Sequence, residues 1–181
     1  DATGHFTLVG KPGTLIATGG NGAVDTATNL AFNGTFKAPT GSLVITPLTT
    51  ILVELMGLGA SLTGAQNQLR SALSLASGVD VTQIDPIATV MDPKASPADK
   101  ALAEHLIVTA SQILDTVAIL QAASPFGNPM GGIVSMIASG EPFDLANPAT
   151  VAALVAQAGF FPPFSTEVEA LLNAHNGLVS A

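Results

Sequence analysis

The chain has 181 residues, 48% hydrophobic and only 10% charged, enough apolar material for the core of one domain, or of one domain with a small appendage. Its net charge is −8 and its five basic residues, Lys11, Lys37, Arg70, Lys94 and Lys100, are scattered, which excludes a clustered nucleic-acid patch and disfavours anionic membrane surfaces. With no cysteine, disulfides, thiolate catalysis and cysteine-ligated zinc are excluded as well.

The first 45 residues read as β structure. His5 to Val9 and Thr14 to Ala17 are short alternating or apolar runs, separated by the turn signal Lys11-Pro12-Gly13. Gly19-Gly20-Asn21-Gly22 reads as a flexible turn. Phe32-Asn33-Gly34-Thr35-Phe36 sets Asn-Gly between apolar residues, which predicts a hairpin turn there. Asn33-Gly34-Thr35 also spells a glycosylation sequon, and the turn reading is preferred. Ala38-Pro39-Thr40-Gly41 is a further turn. Three or four such strands do not close a sandwich; they must lean on helices or on strands from elsewhere.

At Thr46 the pattern changes to helices. Thr46 suits a cap and Pro47 the first helical position, where a missing N–H costs nothing. Leu48, Ile51, Leu52 and Leu55 follow at helical spacing, and Gly57 and Gly59 stop the helix. A second helix is predicted over 64–75 and a short one from Asp85-Pro86 to Met91. Ser96-Pro97-Ala98-Asp99 starts a long helix that runs to about Ala123. Its predicted buried stripe is Leu102, Leu106, Thr109, Ile113, Val117 and Leu120.

Ser124 to Pro129 breaks it. A short helix is predicted over 130–139, another capped by Asn147-Pro148 through Ala158, and a last one from Ser165 to the stop signal Asn176-Gly177. Between the last two lies Phe160-Phe161-Pro162-Pro163-Phe164, an apolar hinge that must dock somewhere. The longest apolar run, Ile51 to Leu58, is broken by Glu54 and falls short of the roughly 20 residues a bilayer needs, so no transmembrane segment is predicted. The chain opens on Asp1 without a basic and apolar leader, and reads as a mature or processed product.

Two stretches carry a family signal. Asp1-Ala2-Thr3-Gly4-His5-Phe6-Thr7-Leu8 resembles the closing strand of bacterial prealbumin-like β modules. Val44-Ile45-Thr46-Pro47-Leu48-Thr49-Thr50 resembles the helix entry of segments in large, repetitive bacterial surface and adhesin-type proteins. Residues 19–34 and 79–87 fit the same style. The resemblance covers roughly residues 1–120. It implies a cysteine-poor, acidic extracellular module, often exported in one step and often calcium-associated. The strands that ordinarily precede the closing strand, and the Asp- and Gly-rich calcium repeats, are not in this sequence. A β module that begins at its closing strand leaves an unpaired edge, which a neighbouring chain can fill. A head-to-tail contact of that kind builds filaments.

Candidate chemistry is sparse. The histidines are His5, His105 and His175, without the spacing of a metal-binding helix. A haem or metal reading takes two of the histidines as ligands, with or without Met56, Met91, Met130 or Met136, and the feature that would favour it is His105, beside Glu104, facing a pocket. His175 suits the negative end of the last helix. No hydrolase elbow or phosphate loop is present, and of the carboxylates Asp80, Asp85 and Asp92, the last two each precede proline and read as turn or cap residues, which argues against acid catalysis. Asn21, Asp25 and Asn29 form an oxygen-rich loop that could take calcium, though it lacks the EF-hand pattern.

The expectation is an α+β fold: a small β hairpin or meander over 1–45, then a bundle of about six helices over 46–181. The expected function is non-enzymatic, that of a secreted bacterial surface or extracellular-matrix subunit, with no catalytic, metal or cofactor site and calcium as the only cofactor candidate. Its partners would be copies of itself or other surface modules. The candidate assembly contacts are His5, Phe6, Leu8, Leu15, Phe160, Phe161 and Phe164. The alternative is an extracellular binding protein for an apolar ligand or haem, held between helices.

Overall fold

The computed structural model describes residues 7, 12–20, 22, 24–25, 30–31, 34–124, 127–157 and 164–180. It is an α+β fold in which an N-terminal hairpin leans on a bundle of seven helices among the described residues.

The hairpin is two ladders in succession. β1 (Leu15–Thr18) pairs antiparallel with β4 (Thr35–Ala38), in the register Leu15↔Ala38 to Thr18↔Thr35. The Gly19 N–H prolongs this ladder to the Gly34 carbonyl at 2.8 Å. β2 (Val24–Asp25) then pairs with β3 (Leu30–Ala31). The chain therefore reverses between β2 and β3, and the expected turn at Asn33-Gly34 is corrected: Gly34 belongs to the returning arm. Its Asn-Gly signature is local, whereas strand register is fixed by the pairing of whole arms. Along the sequence, four positions (20–23) separate the ladders on the outgoing arm and two (32–33) on the returning one, an irregular spacing. Gly20 and Gly22, at φ 97° and 88°, supply the left-handed backbone for that irregularity.

The helices are α1 (Pro47–Gly57), α2 (Leu62–Ala72), α3 (Pro86–Met91), α4 (Pro97–Ala123), α5 (Pro129–Ala138), α6 (Pro148–Gln157) and α7 (Phe164–Val179). Most begin with a polar cap followed by proline. Thr46, Asp85, Ser96 and Asn128 each accept a backbone N–H of the first turn. The Asn128 cap, missed in the sequence, starts α5 one residue before the predicted Met130. α2 is entered at Ser61, whose hydroxyl accepts from the Gly64 N–H at 3.1 Å, three residues ahead of the predicted start.

α4 is the central element, with α1, α3, α5 and α7 packed on it. Its buried face is Ala103, Leu106, Thr109, Gln112, Ile113, Thr116 and Leu120, while Leu102 and Val117 sit at the margin. The stripe is therefore rotated from the predicted one, toward polar residues that α7 satisfies. α4 is also long and apolar enough, by length and composition, to cross a membrane. A search for unbroken apolar runs passes over it because Thr and Gln punctuate it.

Around α4 the core is built from Ile51, Leu52 and Leu55 of α1, Leu69 of α2, Ile133 and Ile137 of α5, Leu154 of α6 and Leu172 of α7. Each such burial contributes about 1.5–3 kcal/mol relative to exposure. α7 passes the predicted stop at Gly177 because Asn176 is fully buried against α4 and the turn beyond it remains docked. The Gln112 side-chain amide donates to the Asn176 carbonyl and to the Ser180 hydroxyl, at 3.2 and 2.7 Å.

Candidate functional site

The hairpin and bundle meet where β4 runs past the start of α1. Because Gly19 and Gly34 form a hydrogen-bonded pair, alternation makes Ala17↔Phe36 and Leu15↔Ala38 bonded pairs as well. Ile16, Thr18, Thr35 and Lys37 then turn their backbone groups away from the partner strand. On the β4 side, α1 meets those of Lys37. The Lys37 N–H donates to Thr50 Oγ1 at 2.9 Å, and the Thr49 hydroxyl donates to the Lys37 carbonyl at 2.9 Å. The Lys37 ammonium lies 2.7 Å from Glu54 on the same helix. At Lys37 the outer edge of β4 is thus closed by side chains of α1.

The outer edge of β1 is different. Among the described residues, no backbone group of Ile16 or Thr18 has a partner beyond the hairpin. The Ile16 side chain is 61% exposed, and β1 carries no charge and no proline, the usual guards of a sheet edge.

The candidate contacts divide accordingly. Leu15 lies in β1, but it is half-buried and its backbone faces Ala38; the outward groups belong to Ile16, within the run Thr14 to Ala17 that the sequence marks as an exposed edge, and to Thr18, just beyond it. Only a known register separates the two parities. His5, Phe6, Leu8, Phe160 and Phe161 lie outside the described residues, as do Asn21 and Asn29 of the calcium candidate. Phe164 opens α7.

Two clefts bear on ligand binding. An open cleft of about 1200 Å³ lies between the hairpin and the α4–α5 end of the bundle, with Phe36, Leu58, Leu114, Val117, Met130 and Leu154 among its apolar lining and the Lys37–Glu54 pair at one side. A second, of about 550 Å³, is lined by His105, Glu104, Phe143 and Leu145. The two share no described lining residue, so His105 is kept from the larger apolar space, and His105 itself is exposed. Met130 lines the first cleft and Met136 packs on the core; neither meets His105 in the second.

His175 is paired instead with Asp115 of α4, Nε2 to Oδ2 at 2.8 Å, with both side chains about three-eighths exposed. It clasps two helices where the sequence suggested only a favourable helix end. Asp80 accepts from the Thr82 N–H and hydroxyl and from the Gln66 amide; Asp85 caps α3, and Asp92 accepts from the Lys94 N–H. Asp85 and Asp92 hold a helix end and a turn in the way the sequence indicated, while the turn held by Asp80 was not foreseen. Among the described residues no three His, Asp or Glu side chains gather as a metal site.

Searches against family models, curated proteins and solved structures find no match to the chain.

Proposed function

We propose that the chain is a non-enzymatic subunit of a bacterial surface or extracellular matrix, secreted from the cell, that joins other copies along the open edge of β1. The observation that carries this reading is the asymmetry of the hairpin. One outer edge is closed at Lys37 by the hydroxyls of Thr49 and Thr50, while on the other the backbone of Ile16 and Thr18 has no partner beyond the hairpin among the described residues. Backbone groups at an open edge form a template for an incoming strand. The resemblance of residues 1–8 and 44–50 to bacterial surface proteins supports the extracellular setting.

Amide exchange at low and high protein concentration tests the reading. Exchange at Ile16 and Thr18 is expected to slow on concentration while Lys37 stays unchanged. Equally fast exchange of Ile16 and Thr18 at both concentrations overturns it.

The large cleft favours a second reading, a binding protein for an apolar ligand. With no histidine among its described lining residues, the cleft suits an apolar molecule better than haem. Under this reading a naphthalene sulfonate probe gains fluorescence with the chain and loses the gain in Val117→Glu. No gain with the folded chain counts against it.

A further inference from the structure

The outward groups of β1 are self-complementary. We propose that two copies pair β1 against β1, antiparallel, about a twofold axis through Ala17, and that this pairing ends the assembly at two. The inference rests on the reading of β1 as the contact edge, and it adds the partner, the register and the closure.

The register follows from parity. Edge pairing bonds only residues whose N–H and C=O both face outward, here Ile16 and Thr18. With Ala17 opposite the partner's Ala17, Ile16 lies opposite the partner's Thr18 and Thr18 opposite the partner's Ile16. Each of these pairs exchanges two N–H···O=C bonds, all within β1. A shift by one residue turns outward groups against inward ones and forms none. A shift by two that sets Ile16 against itself leaves Thr18 to pair beyond β1, with Thr14. The Ala17-centred register alone pairs both outward residues of the strand with each other.

Side chains agree with this arrangement. Ile16 lies on the same face as the partner's Thr18, so its 61% exposed side chain gains cover. The net charge of −8 does not oppose contact at this seam. β1 is uncharged, and the one charge opposite Ile16, on Lys37, is held by Glu54. The product is a sheet in the order β4–β1–β1–β4, four strands in place of two, a size that holds on its own far better than a lone hairpin.

Closure follows from the Thr49 and Thr50 hydroxyls. A filament built on strand edges needs two open edges in every copy. Here α1 already meets the Lys37 N–H and C=O of each β4, so the four-stranded sheet keeps only Thr35 outward on each side among the described residues, too short a run to seat a further strand.

The chain has no cysteine, so Ala17→Cys introduces its only thiol. In the proposed register the two Ala17 residues form a non-bonded pair, Cα atoms about 4.5 Å apart, within the span of a disulfide. Under mild oxidation Ala17→Cys is expected to give a covalent dimer at a concentration where Lys94→Cys, on an exposed turn, does not. Sedimentation of the unmodified chain is expected to resolve monomer and dimer only. Ile16→Pro removes an N–H that points away from β4, hence two bonds per dimer, and is expected to weaken dimerisation tenfold or more.

Association that Ile16→Pro abolishes, but with no Ala17→Cys cross-link or with species larger than dimers, leaves the edge reading standing and overturns the twofold pairing. Association that a folded Ile16→Pro leaves intact overturns the edge reading itself. A chain that stays monomeric at millimolar concentration overturns both. If Ile16→Pro fails to fold, the Ala17→Cys cross-link alone decides.

Discussion

The backbone N–H of Lys37 donates to the hydroxyl of Thr50, 2.9 Å away across the junction of β4 and α1. The same hydroxyl donates to the Thr46 carbonyl at 2.9 Å. The Thr46 N–H donates to Thr49 Oγ1 at 2.8 Å, and the Thr49 hydroxyl donates to the Lys37 carbonyl at 2.9 Å. Each hydroxyl thus accepts once and donates once, in a ring that returns to Lys37. The Thr46 side chain adds a bond from the Thr49 N–H at 3.2 Å, which completes a capping box. The segment Thr46-Pro47-Leu48-Thr49-Thr50 is therefore a joint: it starts a helix and closes a strand edge with the same residues.

Thr50→Val keeps the shape and removes the hydroxyl. Lys37 then holds an N–H without a partner in a part-buried setting, against Thr50, which is 4% exposed. The expected cost is about 1–3 kcal/mol in urea unfolding. Amide exchange at Lys37 is expected to rise by more than global destabilisation explains. Thr50→Ser, which keeps the hydroxyl, is expected to restore slow exchange. Unchanged protection at Lys37 in Thr50→Val counts against the joint.

A second polar contact lies at the seam of α4 and α7. The Asn176 side-chain amide donates to Thr116 Oγ1 at 3.3 Å, and its Oδ1 is buried without a partner. Both residues are fully buried. Thr116→Val alone strands the Asn176 amide and is expected to cost about 1–3 kcal/mol. Asn176→Leu together with Thr116→Val removes both partners and the orphaned oxygen. The double variant is expected to be close to the parent or more stable, a clear departure from additivity in denaturant melts. Additive losses would show that these groups do not act as a pair.

The break between strand and helix at Thr46 and most helix starts were legible in the sequence, because caps and proline act over a few residues. Thr46, Asp85, Ser96 and Asn147 needed no tertiary information. The hairpin register was not legible. Asn33-Gly34 is a sound local turn signal, yet the ladder of Leu15–Thr18 with Thr35–Ala38, prolonged by Gly19 to Gly34, puts Gly34 on the returning arm. Nor did the sequence show that Thr49 and Thr50, beyond starting a helix, reach back to Lys37. That contact spans a dozen residues and depends on where β4 passes. The choice of Ile16 and Thr18 over Leu15 as edge residues fails for the same reason, since parity is known only once the partner strand is. His175 was legible as a residue near a helix end, but its Asp115 partner lies 60 positions away in the chain.

The central place of α4 predicts a steep contrast between its inner face and the surface of α3. Ile113 is fully buried among the helices, whereas Met91 is 76% exposed. Ile113→Ala is expected to cost about 2–5 kcal/mol. Met91→Ala is expected to fall within about 0.5 kcal/mol of the parent. Comparable losses in the two variants, read from urea midpoints, would mean that α4 is not the centre of the core.

The last prediction concerns Ser74, the only non-glycine residue with positive φ among those described, at 54°. It follows α2, where the Leu75 N–H returns to the Arg70 carbonyl at 2.8 Å and the Ser74 N–H to the Ser71 carbonyl at 3.3 Å. These two bonds make the helix end a Schellman motif, whose left-handed position glycine ordinarily fills. A side chain there crowds its own backbone, while glycine adopts the conformation without that cost but loses more freedom on folding. Set against roughly 1–2 kcal/mol for a side chain in the left-handed region, glycine's entropic cost of about 0.5–1 kcal/mol leaves Ser74→Gly favoured by about 0.5–1 kcal/mol. Ser74→Val, branched at Cβ, is expected to lower stability, because branched residues tolerate positive φ least. Thermal melts of the three proteins should therefore rank Gly above Ser above Val at this position. Any other order would mean that the end of α2 is not held in this turn.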